Sequence, residues 1–326
     1  MGFCYCAHMS SAQAKIFDTT RRLSSIAVAV VVILSIVLNN LISGSNITWQ
    51  VVVALLALAV GIPHGALDHL VTLPRASFSR MALFIATYVA IAALSVWAIL
   101  QWSVFGFVGV VIMSALHFGI GDAAFITEHD RAISRSKLSR LSQILYALSA
   151  GSLPVIIPLT NQESASALSA VNEDLVAWHG GWDSELMFGV LVLAAATSLV
   201  LAASRRWRDV MDLVILLSLS LVAPPLVAFA AYFGLWHAMR HTARLTLNLK
   251  SSQSSIHNNQ PGRAFLQAVI PGTPALVGTF IVSLLIGIQT PGKLSDEYLW
   301  LSLVVVWALT VPHMMVTAKL DKAALK

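Results

Sequence analysis

Apolar segments of about 16–25 residues alternate with short polar segments along almost the whole chain. About 20 apolar residues in an α-helix are enough to cross the hydrocarbon core of a bilayer. The segments lack the ten-residue alternation of a membrane β-barrel. The pattern therefore predicts an all-α, polytopic transmembrane helical bundle with about ten spans, at about 24–43, 48–70, 82–101, 104–122, 138–158, 185–203, 208–223, 225–243, 264–288 and 297–317.

Composition supports a membrane protein and sets the predicted domain boundaries. The 326 residues are 57% hydrophobic and 11% charged, with a mean hydropathy of +0.80, whereas a soluble domain carries roughly 25% charged residues. We expect an N-terminal tail over 1–22, a transmembrane domain over 23–318 and a C-terminal tail over 319–326. Cys4 and Cys6 both lie in the first tail, which argues against a disulfide framework and leaves a metal or lipidation role open.

The distribution of basic residues predicts the orientation. With the N-terminus in the cytoplasm, all of the 20 Lys and Arg residues except Lys293 lie in segments on the cytoplasmic side. The long opposite loop over about 159–184 is acidic and has no Lys or Arg. This positive-inside pattern predicts a multi-pass protein of the cell (inner) membrane with both termini cytoplasmic. It also explains the pI near 9.4 without nucleic-acid binding.

Histidines inside the apolar segments are the main candidates for chemistry. A polar or ionisable side chain is costly in hydrocarbon, so an intramembrane histidine indicates a functional site. His237 and His241 are four residues apart on one helix face. Such a pair alone is more often hydrogen-bonded into the bundle, or snorkelling near the interface with Arg240, than bound to a metal. With His64 and His117 at the same predicted depth, a metal site is favoured. At the same predicted depth, in the cytoplasmic half, lie five histidines in total: His64, His117, His237, His241 and His313.

Two carboxylates follow two of these histidines by about one helical turn. Asp68 follows His64, and Asp122 follows His117. Metal-bound imidazoles usually donate their second N–H to a carboxylate or carbonyl, so we expect Asp68 and Asp122 to support the ligands and offset the ion's charge. Helix ends that face the lipid headgroups are the alternative. His313 is predicted to assist the ligands by hydrogen bonding, with direct metal binding as the second option.

Aromatic residues surround the histidine motifs. Such a pattern is more often ordinary helix packing, but next to a metal these residues are predicted to line a tunnel for a long apolar substrate. The predicted substrate-binding residues are Phe118, Tyr232, Phe233 and Trp236.

Four ordered motifs resemble the Brp/Blh family of membrane carotenoid oxygenases. They are PHGALD at 63–68, HFGIGD at 117–122, APPLVAFAAYFGLWHAMRH at 223–241 and TVPHMM at 310–315. The resemblance runs from about residue 50 to about 318 and leaves the first predicted span unmatched.

This resemblance implies an Fe(II)-dependent β-carotene 15,15′-dioxygenase, an oxidoreductase that cleaves the central double bond with O₂ to give two all-trans-retinal. The family's iron-binding, catalytic histidines fall on His64, His117, His237 and His241. The implied partners are β-carotene, O₂ and the lipid bilayer. Retinal is then either handed to a rhodopsin or released into the lipid.

The sequence leaves alternatives open for both the metal and the function. Imidazoles suit iron, zinc, copper or nickel, so the ligands do not name the metal. A membrane haem or metal-binding redox protein and a non-enzymatic carotenoid- or retinal-binding protein also fit. A carotene is roughly as long as the hydrocarbon core is thick, about 30 Å. A metal in the cytoplasmic half therefore predicts a slanted or in-plane substrate tunnel that opens laterally.

Overall fold

The computed structural model describes residues 11–41, 48–73, 77–289 and 296–326, and all regular elements in these ranges are helical. Cys4, Cys6 and Lys293 lie outside the described residues. The described α-helices are α1 (Ser11–Leu41), α2 (Thr48–Gly65), α3 (Asp68–Thr72), α4 (Phe78–Gln101), α5 (Ser103–Ala132), α6 (Arg140–Leu159), α7 (Gln162–Val171), α8 (Asp183–Ala203), α9 (Trp207–Val222), α10 (Pro225–Ala231), α11 (Met239–Thr246), α12 (Lys250–His257), α13 (Pro261–Val269), α14 (Pro274–Gln289) and α15 (Asp296–Ala324).

The number of membrane spans differs from the prediction of about ten. Helices lie at all ten predicted positions, but the count of ten is not confirmed. In the chain region predicted as spans seven and eight, Pro224, Pro225 and the charged residues of α9 interrupt the apolar stretch. Within the described ranges, six segments are long and apolar enough to cross a membrane: Ser11–Leu41, Phe78–Gln101, Ser103–Ala132, Arg140–Leu159, Asp183–Ala203 and Leu303–Ala324.

Three helical elements replace the single helix predicted over 225–243. Ala223 and Pro224 have extended backbones, and Pro225 occupies the first turn of α10, where its missing N–H leaves no intrahelical bond unmade. A π-helical segment, Tyr232–Ala238, then joins α10 to α11. The predicted break at the proline pair is confirmed, whereas the π-helical segment had no recognised signal in the sequence. Such segments occur frequently at functional sites.

The described part of the predicted N-terminal tail, from Ser11, and most of the predicted C-terminal tail are helical. α1 begins at Ser11, well before the predicted boundary at 23, because Ile16 and Phe17 are buried against the bundle. α15 continues to Ala324, through most of the tail predicted over 319–326. A run of polar residues at the end of an apolar segment suggests a solvated tail, but buried partners at this end of the bundle stabilise the helices.

A buried ion-pair network explains why α1 is an integral part of the bundle. The Arg21 guanidinium lies 2.5 Å from Asp209 and 2.8 Å from Asp212 on α9. Arg240 on α11 also contacts Asp212, at 3.2 Å. The carboxylates of α9 are thus compensated by two arginines that are distant in sequence. A buried charge without such partners would be strongly destabilising.

The segments predicted to lie on the cytoplasmic side are close together at one end of the bundle. Ser11 donates a hydrogen bond to Asn259 (3.1 Å), and Arg131 donates one to the backbone of Ala324 (3.1 Å). Elsewhere the outer surface is rich in exposed apolar side chains, as on α4 and α8. An apolar exterior with buried charges is the arrangement expected in lipid. The cytoplasmic assignment of this end stays a prediction.

Helices α5 and α6 approach closely through a pair of glycines. A Cβ atom on Gly119 would overlap the carbonyl oxygen of Ala147, and one on Gly151 would overlap that of Ala115. Small residues at helix crossings let membrane helices pack backbone to backbone. The same helix α5 carries Gly109. A Cβ atom added there would meet no atom of another described element within 4 Å.

We predict that Gly119→Ala destabilises the protein by about 1–3 kcal/mol, the usual cost of overpacking. Thermal unfolding of the detergent-solubilised protein would measure the loss. Gly109→Ala is the matched control and should leave the unfolding temperature unchanged or slightly higher, since alanine has the better helix propensity. Equal unfolding temperatures for the two variants would show that the close approach does not contribute to stability.

Candidate active site

Five imidazoles from four separate parts of the chain meet in the interior, and all are exposed by 8% or less. The neighbouring ring centroids lie 4.9–5.9 Å apart, from His117–His237 at 4.9 Å to His237–His241 at 5.9 Å. We call this group the histidine cluster. Its members are His64 at the end of α2, His117 in α5, His237 in the π-helical segment, His241 in α11 and His313 in α15.

Small residues make room for the cluster. A Cβ atom on Gly121 would press against the His237 ring at 3.1 Å, and one on Gly65 would lie 3.7 Å from the His313 ring. A side chain at Gly61 would overlap Phe233. The glycines next to the histidine motifs thus leave space in which these rings lie close together.

Three of the five rings have one nitrogen fixed by a hydrogen bond. His64 Nδ1 donates to the backbone carbonyl of Gly61, and His117 Nδ1 contacts Thr317 Oγ1 at 3.4 Å. His313 Nδ1 donates to the Asp68 carboxylate, with distances of 2.9 and 3.0 Å to its two oxygens. For His64 and His313, whose Nδ1 donates to an oxygen that can only accept, Nε2 is left to carry the lone pair.

Unpaired nitrogens are the strongest indication of a ligand. Buried polar atoms in proteins nearly always have a hydrogen-bond partner, so each exception requires an explanation. The Nε2 atoms without a hydrogen-bond partner among the described residues belong to His117, His237, His241 and His313.

The imidazoles lie close together but do not form a finished metal site. Over the described part of the chain, no three His, Cys, Asp or Glu side chains meet the geometry for holding an ion. At metal–nitrogen distances of about 2.0–2.1 Å, two imidazoles on one ion have ring centroids roughly 4.5–5.2 Å apart. The pairs His64–His313, His117–His237 and His117–His313 lie within this range, and the other four neighbouring pairs lie at 5.3–5.9 Å. Binding of one ion by all of the rings would therefore need rotation of the histidine side chains, whose χ2 torsion is broad.

Asp68 supports a different histidine from the one expected. The sequence pairs it with His64, one turn earlier, but its carboxylate accepts from His313 on α15 and from the hydroxyl of Tyr88 on α4 (3.2 Å). The pairing with His64 was wrong because α2 ends at Gly65 and a new short helix begins at Asp68. The turn between them redirects the carboxylate toward α15.

Asp122 contacts no imidazole within the residues that the structure describes, so the expected direct support of His117 was wrong. Its Oδ2 instead accepts hydrogen bonds from Trp236 Nε1 (2.8 Å) and the Tyr232 hydroxyl (3.1 Å). Both donors lie on the π-helical segment that carries His237. Asp122 therefore holds this segment in place, and its contribution to the charge balance of a metal stays a prediction.

The four predicted substrate-binding aromatics separate into two pairs. Phe118 lies against His237 (centroids 4.7 Å apart), and Phe233 lies against His64 (5.5 Å). Tyr232 and Trp236 are completely buried and hydrogen-bonded to Asp122. Phe118 and Phe233 are therefore the better candidates for substrate contact. Tyr232 and Trp236 instead connect the π-helical segment to Asp122 on α5.

Two surface grooves on the described helices do not correspond to the predicted lateral tunnel. An open apolar groove of about 670 Å³ runs along α4 between Phe78 and Ala93. A second, of about 340 Å³, lies between α5, α6 and α8. Neither groove is lined by a cluster histidine or by the predicted substrate-binding aromatics. The tunnel stays a prediction.

Two residues near the cluster were not predicted from the sequence: Thr317, which contacts His117, and Tyr88, which bonds to Asp68. Tyr88 lies in the middle of an apolar helix, and Thr317 is one turn beyond His313. A polar group within an apolar segment is a weak signal for either one, because a lone hydroxyl can also bond its own helix backbone.

The chain is similar to known proteins over most of its length. A sequence family described as Beta-carotene 15,15′-dioxygenase matches residues 55–321. A protein named Probable beta-carotene 15,15′-dioxygenase Blh, from Halobacterium salinarum, is 28% identical over 82% of this chain and 82% of its own. Beta-carotene 15,15′-dioxygenase from an uncultured marine bacterium, 66A03, is 26% identical over 80% of this chain and 90% of its own.

No solved structure matches the chain significantly. The family match contains all five members of the histidine cluster and extends across the helices that hold them. The Brp/Blh resemblance of the four motifs is thereby confirmed, and the chain belongs to the β-carotene 15,15′-dioxygenase family.

Proposed function

We propose that this protein cleaves the central 15,15′ double bond of β-carotene with O₂. The carbon–carbon double bond breaks, and each carbon receives one oxygen atom of the same O₂ molecule. Two all-trans-retinal molecules form, and the reaction consumes neither protons nor a reductant. The observation that carries the proposal is the coincidence of the family match with a buried cluster of imidazoles.

Iron is part of the proposal. His64, His117, His237 and His241 would hold Fe(II), since they are buried side by side and Nε2 of His117, His237 and His241 has no hydrogen-bond partner among the described residues. When bound, a redox-active iron would supply the activation of O₂ that an alkene and O₂ alone lack. The five buried imidazoles lie away from water, where a reactive species is protected from side reactions.

The walls of the site suit a substrate without polar groups. β-Carotene is a hydrocarbon, so its binding depends on apolar and aromatic contacts alone. Phe118 and Phe233 flank the histidine cluster on adjoining sides, with centroids 6.2 Å apart, and would hold the polyene near its central bond. Asp122 would keep the position of His237 constant through Tyr232 and Trp236.

Access from the membrane follows from the position of the cluster. Arg240 and Arg244 are buried within one turn of His241, so the cluster lies near the charged end of the bundle. We propose that this end faces the cytoplasm at the inner membrane. A carotene about as long as the bilayer core is thick would enter from the lipid at a slant. Retinal would leave into the lipid or pass to a rhodopsin.

The test is expression of the full chain in bacteria that accumulate β-carotene. We expect loss of the orange pigment and formation of retinal, measured by chromatography of the extract. Under ¹⁸O₂, with immediate reduction of the aldehydes, each retinol should carry one labelled oxygen. β-Carotene that stays intact beside an inserted, iron-loaded protein would overturn the assignment. Label in only half of the product would indicate a monooxygenase.

A further inference from the structure

We propose that His313 is a fifth metal ligand, held in its binding tautomer by Asp68 and Tyr88. The proposal deepens the proposed function and rests on the metal that the other four histidines would hold. It replaces the expectation that His313 only assists the ligands by hydrogen bonding.

His313 lies as close to the other imidazoles as they lie to one another. Its ring centroid is 5.1 Å from that of His64, 5.2 Å from that of His117 and 5.8 Å from that of His241. These values fall within the range of the four-histidine set itself, which runs from 4.9 Å to 5.9 Å. A residue that assists from behind a ligand would lie farther from the centre of the cluster.

Hydrogen bonding determines which nitrogen of His313 is available. A carboxylate can only accept, so Nδ1 carries the proton that it donates to Asp68. Nε2 then carries the lone pair, and it is buried without a partner in the parts of the chain that the structure covers. A carboxylate behind an imidazole is the usual arrangement for a metal-bound histidine, because it fixes the tautomer and raises ligand basicity.

Tyr88 extends this chain of contacts. Its hydroxyl donates to Asp68 Oδ2 at 3.2 Å from the neighbouring helix α4. The carboxylate is buried and receives hydrogen bonds from both sides, so its position behind the His313 ring is fixed. A negative charge at this position would also offset a dication surrounded by neutral histidines.

The experiment uses the full-length protein in detergent, stripped of metal and titrated with Co(II) against a chelator. Co(II) reports binding without turnover, and its visible absorption grows stronger when the coordination number falls. We expect His313→Ala to lower Co(II) affinity by at least about 10-fold and to change the spectrum. Asp68→Asn should lower the affinity by roughly 10–100-fold, the range for residues that orient a ligand.

Two further variants make the outcome decisive. His313→Gln keeps a donor for Asp68 and similar volume, so wild-type affinity in this variant would show a role in packing or hydrogen bonding only. His129→Ala removes another buried imidazole, one whose ring stacks on Phe125 outside the cluster, and should bind Co(II) normally. Thermal unfolding of the metal-free variants identifies any that fail to fold.

The failures of the two proposals are distinguishable. If the wild-type protein cleaves β-carotene and both His313 variants keep its Co(II) affinity and spectrum, His313 is not a ligand and the proposed function stands. If the folded wild-type protein binds no Co(II) and no Fe(II), the four-histidine site fails together with the fifth ligand.

Discussion

Replacement of His237 by alanine should abolish retinal formation and remove most of the iron from the purified protein. The side chain is almost completely buried, and its ring contacts those of His117, His64 and His241. Residues that only support a metal ligand change affinity or activity by roughly 10–100-fold, so the loss of a ligand should exceed about 100-fold. Iron content and retinal yield, measured on the same preparation, check both parts.

The control for this variant is His257→Ala. His257 is exposed at the end of α12, and its removal should leave iron content and retinal yield unchanged. Normal iron in a folded His237→Ala protein would argue against His237 as a ligand. Normal retinal formation without iron would instead show that carotene cleavage does not need the metal.

Replacement of Arg244 by alanine should destabilise the folded protein by about 3–5 kcal/mol, the usual result of removing one partner from a buried ion pair. Arg244 is completely buried three residues after His241, and it binds Glu128 on α5 (2.9 Å) and Asp321 on α15 (2.6 Å). The variant would leave two buried carboxylates without their ion-pair partner. Thermal unfolding of the solubilised protein would measure the effect.

An exposed arginine on α13, Arg263, is the matched control, and Arg263→Ala should change the unfolding temperature little. A second test uses Arg244→Met combined with Glu128→Gln and Asp321→Asn. Because this set removes the uncompensated charges, it should recover much of the stability that Arg244→Ala loses. An Arg244→Ala protein as stable as the wild type would show that water or lipid headgroups reach these carboxylates.

The sequence predicts where the helices lie better than how many cross the membrane. An apolar segment must be helical in lipid to satisfy its own backbone, and helices occur at all ten predicted positions. Span length depends on breaks and on charges within the segment, as in α9, which carries Asp209 and Asp212. Arg21, almost 190 residues earlier in the chain, binds both carboxylates and thereby holds the described part of the predicted tail, which is helical, against the bundle.

By itself, the sequence determined the all-helical class, the family and the five histidines, because hydropathy and motif spacing are local properties of the chain. Only the tertiary structure decided the partners of the two carboxylates. Asp68 bonds to His313, 245 residues away, and Asp122 bonds to Tyr232 and Trp236. Spacing along one helix shows which face of that helix a side chain occupies. The turn after α2 and the π-helical segment alter this spacing, so the side chains that follow point in other directions. The contacts across helices then depend on how the helices pack.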